Sequence, residues 1–336
     1  MSPRHNNAPK PARVVRLSQP FGLARLFRPL PKTADARPVL DVTYHPKSGD
    51  LTLQFSAKEA LGIPEQTLLL GLLELAKAQH EQDGDARVLS AATCSEPGAE
   101  LWRMIRGNGN PDRRSLHLET NWHALNRLYG EQTGGSATAT RRVQLKRLCE
   151  VTVWERNNVL KTERQSFLVV MLTSDDNRIH LALNARLAAA ILEDGYAQIS
   201  LSERLALHQD LAKAVHAFLS TTVAPGSGLP IGVETLVDRF WPYSDSAVPA
   251  KTHTSRCRNV REALRAIDRL PLWTVTWRGA DQVEVNRRKN MDVEMTSHIA
   301  IQSLSYRHPR MSICPNKIND LQALDASVLF NNRKSV

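Results

Sequence analysis

"KTHTSRCRNVREALRAIDRLPLWTVTWRGADQVEVN", residues 251–286, changes its period halfway along. Up to residue 267 the apolar positions recur at helical spacing, and after Leu272 they alternate in two runs around a turn at 279–281. The stretch reads as a helix followed by a β-hairpin. At 100° per residue, Thr254, Arg258, Arg261 and Arg265 share one sector, while Val260, Leu264 and Ile267, with Ala263 alongside, lie on the opposite side. One face can dock on a core and the other presents a row of guanidinium groups. Only Glu262 and Asp268 could balance them, and neither sits in that row. Taken alone, a basic helix is more often a solvated surface. Arginine, however, forks bidentately onto guanine or phosphate where lysine cannot.

What precedes this stretch gives it a context. "LSERLALHQDLAKAVHAFLSTTV" (201–223) reads as one long amphipathic helix, and "LPIGVETLVDRFWP" (229–242) as a short helix stopped by Pro242. The same outline occurs about 110 residues earlier. "SLHLETNWHALNRLYG" (115–130) suggests a strand and then a helix ending at Gly130, and "ATATRRVQLKRLCE" (137–150) a second, basic helix. "VTVWER" and "RQSFLVVMLT" then bracket the turn "NNVLKTE", with "RIHLALN" a further strand. In the basic helix Leu145, Leu148 and Cys149 mark the core side. Arg142 and Lys146 face outward, and Arg141 falls nearer the apolar side.

A short helix, a basic helix and a hairpin, written twice, predict an α+β chain of two tandem winged-helix domains. The expected organisation is a flexible, disordered basic arm (1–38), a first domain (39–195), a second domain (196–289) and a tail without an assigned role (290–336). The expected DNA-binding residues are Thr138, Arg142 and Lys146 on the first basic helix, and Thr254, Arg256, Arg258, Arg261 and Arg265 on the second. Arg156 and Lys161 are the first hairpin's candidates, and Arg287 and Arg288 the second's. Base-edge contacts fall first to Arg258, Arg261 and Arg142.

Charge placement agrees with a polyanion partner. The net charge is +10, and the seven Lys and Arg of residues 1–34, a stretch without an acid, leave +3 for the rest. Within that near-neutral body the excess concentrates in the two basic helices. The arm is too rich in proline and polar residues to pack a core or form a targeting helix. The four cysteines lie far apart, with no CxxC and no paired histidine spacing, so no zinc site or disulfide framework is expected and the pattern suits a reducing cytoplasm. No apolar run reaches the length of about eighteen residues that a membrane span needs.

No phosphate-binding GxxxxGK[ST] occurs; "GNGN" and "GSGLPIG" lack the lysine and the strand–helix setting. The acidic clusters "SDD" (174–176) and "EDG" (193–195) fit turn chemistry better than two-metal catalysis. No enzyme activity and no cofactor is expected.

The stretches "RIHLALNARLAAAILEDGYAQISLSERLAL", "LVDRFWP" and "RCRNVREALRAIDRLPLWTVTW", with "LDVTY" and "LKRLCEVTVW", resemble the RepC family of replication initiators of IncQ-type plasmids, in order over roughly residues 40–287. The resemblance implies a non-enzymatic initiator that binds directly repeated iterons in double-stranded origin DNA, opens adjacent AT-rich sequence and has a helicase and primase loaded. It places the DNA-reading helices at 137–149 and 252–269, and the protein in the bacterial cytoplasm with plasmid DNA. A homodimer stays open. So does a second reading, a winged-helix transcriptional repressor without origin melting. A relaxase or primase is the alternative from another class.

Overall fold

A computed structural model describes residues 13–30, 37–93, 96–109, 112–128, 134–174, 177–193, 195–241 and 249–289. The tail assigned to 290–336 lies outside the described residues, as do the helix stops assigned to Gly130 and Pro242. The chain opens with β1 (Val14–Ser18), α1 (Gln19–Leu23), β2 (Leu40–Tyr44), β3 (Leu51–Ala57), α2 (Ile63–Asp83), β4 (Val88–Leu89), α3 (Gly98–Arg106) and β5 (Ser115–Thr120). It continues through α4 (Trp122–Arg127), α5 (Gly135–Cys149), β6 (Thr152–Asn157), β7 (Thr162–Phe167), β8 (Val169–Thr173), β9 (Ile179–Leu183), α6 (Ala185–Leu192) and β10 (Tyr196–Ser200). The last part holds α7 (Leu201–Ala206), α8 (Asp210–Thr222), β11 (Gly228–Gly232), α9 (Val233–Phe240), α10 (Ala250–Asp268), β12 (Trp273–Trp277) and β13 (Gln282–Arg287). It is an α+β protein.

Helix α2 is the central post. Pro64 sits in its first turn, where a missing N–H costs nothing, and the Glu65 carboxylate accepts from the Gly62 N–H at 2.9 Å. Leu68, Leu69, Leu70, Leu72 and Leu73 are all buried, so apolar contact surrounds this helix instead of following one stripe. It packs on β1, β5, α5 and α8. The buried Arg204 guanidinium ties α7 to it, donating to Gln66 Oε1 at 2.8 Å and to Thr67 Oγ1 at 3.1 Å. The main buried cluster runs from Val15 to Val285 and holds residues on both sides of 195.

The disordered-arm expectation is corrected for residues 14–28. Strand β1 pairs antiparallel with β10, from Val14 opposite Ser200 to Ser18 opposite Tyr196. Val15, Leu17, Phe21 and Leu26 are buried, and burying each contributes roughly 1.5–3 kcal/mol. That outweighs the solvation of the few charges in the segment, and the arginines beside the buried positions of β1 find partners at the rim. Arg13 pairs with Glu74, and the Arg16 guanidinium stacks 4.2 Å from the Tyr196 ring centroid.

The twice-written wiring is present, with a change in the first copy. In the second, α8, β11, α9, α10, β12 and β13 follow one another and the sheet runs β11–β13–β12. In the first, α2, β5, α4 and α5 precede a sheet in the matching order β5–β9–β8, so β8–β9 is the hairpin in the equivalent place. The expected hairpin, β6–β7, extends the β2–β3 hairpin into a separate sheet. "RQSFLVVMLT" reads as one strand but bends at the buried Leu168, which donates to Val151 O and accepts from Asn184 N. The chain passes from one sheet to the other there.

Two further elements differ from their sequence reading. Residues 201–223 form α7 and α8 instead of one helix, and across the break Arg204 Nη1 donates to the Lys213 carbonyl at 2.6 Å. "GLPIG" is strand β11, paired with β13, ahead of the expected α9.

Candidate nucleic-acid interface

Helix α10 has the predicted two faces. Val260, Ala263, Leu264 and Ile267 are fully buried against α8, α9 and β12. Thr254, Arg258 and Arg265 are exposed on the other side. The Thr254 hydroxyl donates to Ala250 O at 3.0 Å, and the Arg258 side chain is 71% exposed with Glu262 a distant 3.9 Å away. Such a pair contributes little to stability, and Arg258 remains available to a partner. Arg256 is half-buried, its guanidinium 5.5 Å from the Trp241 ring centroid. Arg261 differs from its neighbours. It is paired with Asp281 at the hairpin turn and donates to Ala280 O at 3.3 Å.

Helix α5 repeats this design with fewer charges. Leu145 and Leu148 are buried, and Arg142 and Lys146 are exposed. Arg141, set aside from the sequence as nearer the apolar side, is buried and donates to Gln144 Oε1 at 2.6 Å. Arg147 is held inward by Glu59 and Glu65, which fasten α5 to the start of α2. Thr138 is half-buried and accepts from Asn126 Nδ2 at 3.1 Å, so it links α4 to α5. Arg142 lies 5.1 Å from the Trp122 ring centroid. Trp122, Arg142 and Lys146 line one groove with Met171, Thr173, Ser174 and Asn177 of the β8–β9 hairpin. Neither Trp122 nor this hairpin end is among the residues expected from the sequence. The signal for Trp122 was Asn121 just before it, which caps α4 by accepting from Ala124 N at 2.8 Å and so fixes Trp122 at the helix start.

Of the hairpin candidates, Arg156 and Lys161 are exposed but sit on β6 and the β6–β7 turn, in the sheet with β2 and β3. The structure does not bring them together with Arg142 and Lys146 as one hairpin-and-helix unit. Arg288 is exposed beside β13. Arg287 is a correction. It is 4% exposed and its guanidinium donates to Ser220 O at 3.0 Å, Val223 O at 3.2 Å and Gln198 O at 2.6 Å. Strand alternation continues through Arg287 and puts its side chain under the sheet, on the same face as Val283 and Val285. It joins β13 to α8 and β10 and cannot reach a phosphate.

Two exposed rows of basic side chains, each opposite a buried face and each beside a hairpin, are the kind of surface a polyanion fits. The sequence matches the model of the replication protein C (RepC) family over residues 18–289, and the chain belongs to that family of replication initiators. Comparison with curated proteins returns no match. Among solved structures it is similar to domains 2–3 of RctB, at 10% identity and a TM-score of 0.49, covering 82% of this chain and 99% of that one. A selenomethionine form of the same two RctB domains gives 9% identity and a TM-score of 0.46, over 77% and 94%. Among the described residues no helix is long and apolar enough to cross a membrane.

Proposed function

We propose that the protein is a plasmid replication initiator that binds directly repeated sequences in double-stranded origin DNA through two winged helices, reading one major-groove face with α5 and the next with α10. The observation that carries the reading is the pairing of exposed Arg142 and Lys146 on α5 with exposed Arg258 and Arg265 on α10, each row backed by a buried face. Base-edge contacts fall to Arg142, Arg258 and Arg265. The wings are β8–β9 and β12–β13, with Arg288 at the phosphates. Binding energy would offset lost stacking in adjacent AT-rich DNA, where deformation costs least. A helicase and primase follow as partners, and the protein works without enzymatic chemistry in the bacterial cytoplasm. Family membership supports the initiator over a repressor with the same modules.

Mobility shifts against repeat-bearing and random DNA at several salt concentrations test this. Arg142→Ala and Arg258→Ala should each cost about 1–3 kcal/mol of discrimination. Arg156→Ala and Lys161→Ala should leave it unchanged. The reverse pattern would move the interface to the β6–β7 sheet. Nicking or primer synthesis by the purified protein with supercoiled DNA, Mg²⁺ and nucleotides would overturn the non-enzymatic reading.

A further inference from the structure

We propose that Glu234, His253 and Cys257 form a zinc site that staples helix α9 to the first turns of helix α10. Cys257 Sγ lies 3.4 Å from Glu234 Oε1 and 3.8 Å from His253 Nδ1, and His253 Nε2 lies 2.8 Å from Glu234 Oε2. One donor atom from each residue falls within 4.8 Å of the other two, and among the described residues this is the group of three metal-ligating side chains so arranged. Tetrahedral coordination with bonds of about 2.0–2.3 Å sets donor atoms roughly 3.3–3.7 Å apart. The Cys257–Glu234 pair is at that separation already, whereas His253 meets the sulfur through Nδ1 and the carboxylate through Nε2, so one ring nitrogen takes the ion and side-chain rotations bring the three donors to tetrahedral spacing.

The fold makes this set for a local reason. His253 and Cys257 are one helical turn apart, so they share a face of α10. Glu234 is in the first turn of α9, which packs on that face. The nearby Arg261 pairs with Asp281, while the Glu234 carboxylate is held by His253 and Cys257. Cys257 is buried, whereas Glu234 and His253 reach solvent, so an ion has a route in and a fourth position for water. A thiolate among the donors selects zinc over magnesium or calcium. Metal-free, the thiol donates to Glu234, and burial together with that carboxylate holds its pKa above the ordinary value. Zinc binding would release the thiol proton to solvent and replace the S–H···O contact by two metal bonds. Cysteine spacing hid the site, because the third ligand comes from a different helix 19 residues before His253.

The consequence is a metal-ordered start to α10, the end that carries Thr254 and Arg256. The test uses no DNA, so its failure leaves the proposed function standing. The full chain is stripped with a chelator and titrated with Co²⁺ as the probe, then with Zn²⁺. One equivalent of Co²⁺ should bind with a thiolate-to-cobalt charge-transfer band that Zn²⁺ abolishes. Cys257→Ser should remove the band. Glu234→Gln and His253→Gln should each weaken Co²⁺ binding by at least about tenfold, and Cys149→Ser should leave band and affinity intact. Circular dichroism establishes that each variant folds, and if Cys257→Ser does not, the two α9 and α10 variants decide. Absence of the band in the natural chain overturns the site. So does its survival in Cys257→Ser, or unchanged affinity in both other variants, since the cluster is then only a hydrogen-bonded set.

Discussion

The Arg261 guanidinium closes on the Asp281 carboxylate and so ties helix α10 to the turn of its own hairpin. The sequence places Arg261 in the reading row, but its Nε and Nη2 donate to the hairpin turn inside the protein. It therefore positions the β12–β13 turn, while Arg258 and Arg265 face outward. Arg261→Ala should cost less sequence discrimination than Arg258→Ala, and less than about 1 kcal/mol of stability, as befits a partly exposed pair. Asp281→Asn releases Arg261 and should raise affinity for any DNA, with the salt slope steeper by about 0.9 if one phosphate contact is gained. Equal loss of discrimination in Arg261→Ala and Arg258→Ala, read by mobility shift, would return Arg261 to the bases.

Arg287 gives a stability experiment. Removing it strips three backbone carbonyls of their donor, and a buried polar group left unpaired costs about 1–3 kcal/mol. Arg287→Ala should lose more than about 2 kcal/mol in urea unfolding, while the exposed neighbour variant Arg288→Ala stays within about 0.5 kcal/mol. An Arg287→Ala protein with unaltered unfolding and a flatter salt slope would restore the phosphate contact.

The N-terminal segment divides between two truncations. Removing residues 1–12 takes away Arg4 and Lys10 but leaves β1, and should lower salt-sensitive, non-specific DNA binding. Removing residues 1–30 also exposes the core that Val15, Leu17, Phe21 and Leu26 cover, and should lower the melting temperature sharply. Equal melting of the two truncations would mean that the β1–β10 pairing adds nothing.

Two histidines make stability depend on pH. Burial lowers the His117 pKa to about 4, helped by the charges of Arg87 and His180. Burial also lowers that of His216, against the pull of Glu203. The folded chain holds both rings neutral, and the unfolded chain protonates them below about 6.5. The unfolded state therefore binds more protons in this window, and stability should fall as pH drops from about 6.5 toward 4. Urea midpoints at pH 7.5 and 5 measure it. His117→Asn should shrink the drop, and a midpoint that holds or rises toward pH 5 in the natural chain would contradict the assignment.

Local periodicity carried α5, α10 and the β12–β13 hairpin into the sequence reading, because each is amphipathic within its own stretch. Arg141 was assigned inward by the same geometry. What failed were relationships across the chain. The partner of β1 is some 180 residues away, and polar Arg13 and Arg16 mask its two buried positions. The bend at Leu168 leaves no turn residue as a signal, so β7 and β8 read as one strand. Arg287 looks like an exposed hairpin exit until three carbonyls from two other segments, the end of α8 and β10, surround it. Basic side chains are read poorly from sequence alone, since reading head, positioning pair and buried anchor share one residue type.

The most direct measurement is a footprint of the full chain on its own origin DNA, compared with the Arg142→Ala, Arg258→Ala double variant. Protection of an array of direct repeats is expected, with two major-groove faces about 10–10.5 base pairs apart covered in each. In the double variant that pattern should give way to weak, sequence-independent protection. Protection without repeats, or a repeat footprint that survives the double substitution, would contradict reading by α5 and α10.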